Sequence, residues 1–285
     1  MEHRNRASGW KHAKLSGHVN EDQVKQLLDI DLDYQHEFLE RISYADDRIV
    51  GSSIGGLHET NVPGVLGKKT KSKTDLKVYL ASSKQVNVSI KKSLGGQVYF
   101  VRVNLFFDVF ERQFKKAIPE EVKRAMQLFW AAAADADDII KQYGDKTDAK
   151  SYTLQLRHHS LNATTLKAYR EDLYDAMLRW FRENAYELAK LSFTMGAAQD
   201  PNEWSEYVWY INTLGENAVD GIFHIEDICS AAKKHSVAET YYGDSNGGTT
   251  IQLPFGFVQW HSPRKVIPGS LQFHHSYSKV LDFIR

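Results

Sequence analysis

Asp75 is the sole carboxylate between Glu59 and Asp108, and nine basic residues share that stretch: Lys68, Lys69, Lys71, Lys73, Lys77, Lys84, Lys91, Lys92 and Arg102. The whole chain balances 36 basic against 36 acidic side chains, so the stretch is a local departure from neutrality. One acid among many bases suits a group that holds a cation beside a polyanion. Cutting a phosphodiester asks for such a group. A divalent cation steadies the charge that builds on the phosphoryl oxygens, and hydroxide must be made at neutral pH. Asp75 is the candidate metal ligand. Lys91 is the candidate that orients or deprotonates the attacking water and steadies the phosphate, with Ser89 beside it.

These residues need strands to hold them. Residues 74–81 and 86–93 read as strands joined by a short turn at 82–85, and a third strand over 97–103 follows Leu94-Gly95-Gly96. The connections are too short for crossovers, so the three are expected to form an antiparallel meander. Alternation along the second strand sends Ser89 and Lys91 to one face and Ile90 into the core. A hairpin turning at 82–85 puts Asp75 opposite residues 91–92.

The flanking sequence is mainly helical. Residues 21–44 carry apolar positions at helical spacing behind Asn20 as a cap, and 51–73 read as a glycine-rich loop. Helices are expected over 104–117, from Pro119 to about 142, and over 164–195, with a loop from Gly144 to about Ser160. A short helix near 203–212, a strand at 221–225, a helix at 226–234 and strands near 237–242, 249–260 and 270–276 complete the pattern. The expected fold class is α/β (α+β): a mixed central sheet containing the meander and flanked by helices, plus a mixed C-terminal part. The soft boundary divides 1–142 from 143–285, expected to pack as one compact unit.

Thr74-Asp75 followed by Ser89-Ile90-Lys91 resembles the signature of the PD-(D/E)XK nuclease superfamily. That signature is an acid at one strand and an acid-any-lysine triplet on the next, within a helix-strand-strand-strand-helix core. The layout is similar to small Type II restriction endonucleases, several of which carry a neutral polar residue in place of the triplet's acid. Ala13-Lys14-Leu15-Ser16-Gly17-His18-Val19-Asn20-Glu21 is similar to the opening of that group. The resemblance covers about residues 10–142 and leaves 143–285 unmatched by motif. It implies Mg²⁺ as cofactor and double-stranded DNA as substrate. It also implies a homodimer for cutting palindromes, a cognate DNA methyltransferase in the same system, and a prokaryotic cytoplasmic setting. Residues 1–142 would be the catalytic core and 143–285 the DNA-recognition part.

Ser89 departs from the family pattern, because a hydroxyl is a poor ligand for a hard cation. A second carboxylate must then come from elsewhere. Glu21 matches the family's helix position, Glu59 stands in the loop before the Asp75 strand, and Glu111 lies on the helix after the third strand. They rank in that order as catalytic and metal-binding candidates beside Asp75.

DNA contacts divide into two kinds. Lys68, Lys69, Lys71, Lys73 and Lys92 are candidates for the phosphate backbone, where they position without reading sequence. Gln259, His261, Arg264 and Lys265 are candidates for base edges, since Arg and Gln form bidentate bonds to guanine and adenine. Gln155, Arg157 and His158 in the middle loop are comparable.

Other readings fall away. A chain of 285 residues can bury a full core, and no run of 18 apolar residues offers a membrane span. The polar opening Met1–Arg6 lacks the apolar stretch of a secretory signal. Cys229 is the sole cysteine, which excludes an internal disulfide and a CxxC zinc site. Zero net charge argues against binding polyanions by bulk charge, so any nucleic-acid contact needs a local patch. Gly64-Val65-Leu66-Gly67-Lys68-Lys69-Thr70 lacks phosphate-loop spacing, and His58-Glu59 lacks the second histidine of a zinc-protease helix. The pairs His158-His159 and His274-His275 read as surface or packing residues. Two rivals remain: a structure-specific or repair DNA nuclease, and a nuclease fold that binds DNA without cutting.

Overall fold

The computed structural model describes residues 21–55, 61–212, 218–241, 249–260 and 269–284. In chain order, α1 (21–30) and α2 (Leu32–Arg41) precede β1 (Ile49–Ile54), β2 (Val62–Pro63), β3 (Lys69–Thr70), β4 (Leu76–Leu80), β5 (Gln85–Lys91) and β6 (Gly95–Arg102). Helices α3 (Val103–Phe114), α4 (Glu120–Phe129), α5 (Ala136–Tyr143), α6 (Ala149–His158), α7 (Ala163–Glu183) and α8 (Ala185–Lys190) follow, and a π-helical turn covers Leu191–Met195. The chain ends with β7 (Tyr207–Asn212), β8 (Val219–His224), α9 (Ile225–Lys234), β9 (Glu239–Tyr241), β10 (Thr250–Leu253), β11 (Gly256–Trp260), β12 (Ser270–Ser276) and α10 (Tyr277–Ile284).

Two compact units share this chain, one of residues 1–94 with 193–225, the other of residues 95–192 with 226–285. Each therefore draws on both halves of the sequence, and the boundary suggested by the 143–160 region lies inside the second unit.

The first unit is built on a mixed five-stranded sheet in the order β1-β4-β5-β7-β8. Leu76, Val78 and Leu80 of β4 face the helices together with Val86, Val88 and Ile90 of β5. Val24 and Leu28 of α1 and Phe38 and Leu39 of α2 close over them. The single helix expected over 21–44 is instead two, because the Asp31 side chain accepts from Tyr34 N and caps a new start. Strand β1 was expected as loop. It pairs antiparallel with β4, and its irregularity at Val50 masks the alternation.

The meander is real for β4 and β5, but its third member differs from expectation. β5 is flanked by β4 and, in parallel, by β7. Residues 97–103 supply β6, which pairs with β12 in the second unit's sheet. The segment near 203–212, expected as a helix, is β7. Its residues Tyr207, Val208, Trp209 and Tyr210 are all buried, as in a strand covered on both faces, and such a strand shows no alternation.

The second unit holds an antiparallel sheet in the order β6-β12-β11-β10-β9. Its core is aromatic: Phe106 of α3 meets Phe273 at 5.7 Å, and Phe110 meets Trp180 of α7 at 4.9 Å. The 144–160 loop is largely α6, started by the Asp148 side chain accepting from Ser151 N. Gln155, Arg157 and His158 thus lie on a helix, with Gln155 buried. The long helix expected over 164–195 breaks at Asn184 into α7, α8 and the π-helical turn. No helix among the described residues is long and apolar enough to cross a membrane.

Candidate active site

The β4–β5 hairpin turns earlier than its sequence suggested. Leu76 pairs with Val88 and Tyr79 with Gln85, so Asp75 comes level with Ser89 rather than with residues 91–92. Asp75 N donates to Val88 O at 2.9 Å, and Asp75 O accepts from Gly55 N at 2.9 Å. The backbone on either side is therefore fixed by β5 and by the end of β1. A Cβ on Gly55 would stand 2.3 Å from Thr74 O, so this close approach admits no side chain.

The three motif residues form one hydrogen-bonded group. Asp75 Oδ2 accepts from Ser89 Oγ at 3.1 Å and from Ile90 N at 2.7 Å. Lys91 Nζ donates to Ser89 Oγ at 2.5 Å and stands 3.8 Å from Asp75 Oδ2. Ser89 is fully buried, whereas the Asp75 and Lys91 side chains keep 26% and 17% of their exposure, so the group opens toward solvent at its charged end. Ile90 joins the core on the opposite face, as alternation requires.

Lys73, two residues before Asp75, lies close enough for Lys91 and Asp75 to act on its charge. It is half-buried by area, yet its ammonium is enclosed enough for burial to dominate its acidity. Burial first, and then the Lys91 ammonium, lowers its pKa from 10.5 to about 7, with Asp75 acting in the opposite direction. Gly196, at φ +52°, lies against its stem: a Cβ there would stand 3.1 Å from Lys73 Cε. Lys73 was expected as one of several loop lysines; its i, i+2 relation to Asp75 was the signal that set it apart.

A second missed contribution comes from residues 202–206. Ser72 Oγ and Thr74 Oγ1 both donate to Glu203 O, at 2.8 and 3.0 Å. Ser205 Oγ donates to Lys73 O at 3.2 Å, and Asn87 Nδ2 donates to Asn202 O and Trp204 O. Lys77 pairs with Glu203 at 2.7 Å. This segment leads into β7 and clamps the run from Ser72 to Asp75. Nothing in local sequence pattern reveals it.

The other expected residues are dispersed. Glu21 acts on the charge of Lys92, whose pKa is lowered by burial with Glu21 opposing. Glu111 belongs to the second unit; despite burial, Ile118 N and Lys123 Nζ hold its pKa down. Lys68, Lys69 and Lys71 are exposed around β3. Gln259 lies on β11, bonded to Gln272 at 3.2 Å. Glu59, His261, Arg264 and Lys265 lie outside the described residues.

Among the described residues no group of three or more His, Cys, Asp or Glu side chains is arranged to hold a metal. Mg²⁺ retains several waters and takes only one or two carboxylates together with substrate phosphates. Asp75 offers such a carboxylate, partly exposed, with Oδ2 engaged by Ser89 and Ile90.

No family profile and no curated protein matches the sequence. Among solved structures, the chain is similar to a crystal structure of the restriction endonuclease MspI in complex with its cognate DNA, at 14% identity over 85% of this chain and 77% of that one, with a TM-score of 0.41.

Proposed function

We propose that this chain is a divalent-metal-dependent endonuclease that cuts double-stranded DNA at a short specific sequence, in the manner of Type II restriction enzymes. The observation that carries the reading is the hydrogen-bonded group of Asp75, Ser89 and Lys91 on adjacent strands of a mixed sheet. Asp75 would be the carboxylate that holds Mg²⁺, with Ser89 fixing its orientation. When bound, the ion supplies charge stabilisation at the phosphate and a more acidic water. Lys91 Nζ is tethered by Ser89, so its ammonium is oriented before substrate arrives and can steady the phosphate or orient the attacking water. Lys73, close enough for Asp75 and Lys91 to act on its charge, would add a second amine beside them.

Glu21 and Glu59 remain the proposed sources of a second carboxylate. Lys68, Lys69, Lys71 and Lys92 are proposed to contact the DNA backbone, and Gln259, His261, Arg264 and Lys265 the base edges. A homodimer would cut both strands of a palindrome, and a methyltransferase would protect host DNA in a prokaryotic cytoplasm. The unit of residues 1–94 with 193–225, which holds Asp75, Ser89 and Lys91, would supply the catalytic core, and the other unit the recognition part.

The test is purified protein on unmethylated phage DNA with and without Mg²⁺, beside the Asp75→Asn variant. Discrete bands that require both Mg²⁺ and Asp75 are the expected result. A metal-dependent smear would favour the repair-type nuclease instead. Uncut DNA that still shifts in a binding gel would favour the inactive binding fold, and cutting by Asp75→Asn would remove this site from the reaction.

A further inference from the structure

The sheet of the second unit presents a polar face to solvent. Register assigns Gln97, Phe100 and Arg102 of β6, Gln272 and His274 of β12, Phe257 and Gln259 of β11, and Thr250 and Gln252 of β10 to this face. The opposite face carries the buried Val101, Ile251, Val258, Leu271 and Phe273.

Three glutamines form a row across adjacent strands. Gln272 Nε2 donates to Gln97 Oε1 at 2.5 Å, and Gln259 Nε2 donates to Gln272 Oε1 at 3.2 Å. A register shift between Phe273 and His274 creates the row. Simple alternation from Phe100 would set Val98 on the open face; the bulge keeps Val98 buried and turns Gln97 outward instead. Gln259 Nε2 also lies 3.3 Å from His274 Nε2; a primary amide has two N–H donors and a carbonyl with two lone pairs, so the row still keeps donors on Gln97 and Gln272 and acceptors on all three.

The charge on this face suits the same ligand. No acidic residue occurs on β6, β10, β11 or β12. Arg102 is exposed beside the row, and Lys279 Nζ bonds Gln252 Oε1 at 2.9 Å. Among the described residues, Glu239 on the edge strand β9 is the acid that register assigns to this face, opposite Gln252. A protein partner fits less well, because its interface would need an apolar centre. Phe100, at 42% exposure, is the large exposed apolar side chain of this face, while Phe257 is stacked on His274 at 4.4 Å.

We propose that this open sheet face binds duplex DNA, with the Gln97–Gln272–Gln259 row reading base edges and Arg102 contacting phosphate. The proposal rests on the nuclease reading for its choice of ligand, and it extends base reading to Gln97, Gln272 and Arg102.

The experiment selects from a random-sequence duplex library with the full chain carrying Asp75→Asn, in buffer with Ca²⁺, and measures affinity for the enriched duplex by fluorescence anisotropy. Circular dichroism checks the fold of each variant. The parent should enrich a motif. Gln97→Ala/Gln272→Ala/Gln259→Ala should bind that motif at least about tenfold more weakly, approaching its affinity for unrelated duplex. Gln272→Glu, nearly isosteric, should do the same by placing a negative charge on the face. Arg102→Ala should weaken binding to all sequences and lower the salt slope by about one. Unchanged affinity and motif in the triple variant would overturn the proposal, as would a parent that binds no duplex or only single strands. Cleavage by wild type with an unaffected triple variant sinks this inference alone. A motif lost in the triple variant, without cleavage by wild type, sinks the nuclease reading alone.

Discussion

Ser89 Oγ donates to Asp75 Oδ2 at 3.1 Å, so the position that the nuclease signature gives to an acid is a neutral bridge between Asp75 and Lys91. A hydroxyl there does two things. It fixes the rotamer of Asp75, and it holds Lys91 Nζ without adding the repulsion a second carboxylate would bring. Ser89→Ala should leave Asp75 with the Ile90 N–H and release Lys91, lowering the cleavage rate about tenfold while binding to DNA persists. Ser89→Asp should put two like charges side by side, lowering metal-free stability by roughly 1 kcal/mol and raising affinity for divalent cation. A Mg²⁺ titration of cleavage checks this: a half-maximal concentration that does not fall in Ser89→Asp contradicts a metal site at Asp75.

Lys73 gives a pH dependence whose sign is fixed by its depressed pKa. Below about 7 it is protonated in both folded and unfolded chains, and folding bears the cost of burying the charge. Between about 7 and 10.5 the unfolded chain binds more protons than the folded one, so stability rises with pH across that window. Lys73→Met should remove this slope. Its stabilising effect at pH 6 should be on the order of 2 kcal/mol, less than the full shift implies because the side chain is not wholly enclosed. Urea unfolding of both proteins at pH 6 and pH 9, in EDTA, tests it. Parallel pH curves would show that Lys73 is solvated.

Gly55 is where β1 comes closest to the Asp75 strand. A Cβ would sit 2.3 Å from Thr74 O, which is backbone and cannot swing aside. Gly55→Ala should therefore displace Thr74 and Asp75, costing about 1–3 kcal/mol in stability. It should cut activity beyond what that loss accounts for. Cleavage assayed well below the melting temperature separates the two effects, and full activity there would mean the strand tolerates the shift.

What could be read from sequence divides by range. The Asp75, Ser89 and Lys91 group was legible because strand alternation and a short hairpin are local properties. Even so, the register was misjudged by about two residues, since β4 ends at Leu80 and β5 begins at Gln85. The long-range parts were hidden. Tyr207–Ile211 is apolar or aromatic at every position, which periodicity cannot separate from a buried helix, and its parallel pairing with β5 depends on residues far away in the chain. Gly95-Gly96 looked like a hairpin turn; it instead leads the chain into a second sheet. α6 has few buried residues and so little stripe to read, although its Asp148 cap is visible in the sequence.

Gly196 tests whether Lys73 is held or merely present. The π-helical turn Leu191–Met195 ends at Gly196, whose φ of +52° favours glycine and whose missing Cβ leaves room for the Lys73 stem. A methyl there would stand 3.1 Å from Lys73 Cε and 3.4 Å from Cγ, so the lysine must shift by a few tenths of an ångström. Gly196→Ala should cost about 1–2 kcal/mol through the left-handed backbone, with a further loss of cleavage as the ammonium moves away from Asp75 and Lys91. Most of that further loss should disappear when Lys73 is already Met. In a double-mutant cycle on the cleavage rate, Lys73→Met and Gly196→Ala should therefore be non-additive, while Gly196→Ala combined with a distant surface change such as Lys141→Ala should be additive. Additivity in the first pair would mean that Gly196 acts on the backbone alone and that Lys73 reaches its place without it.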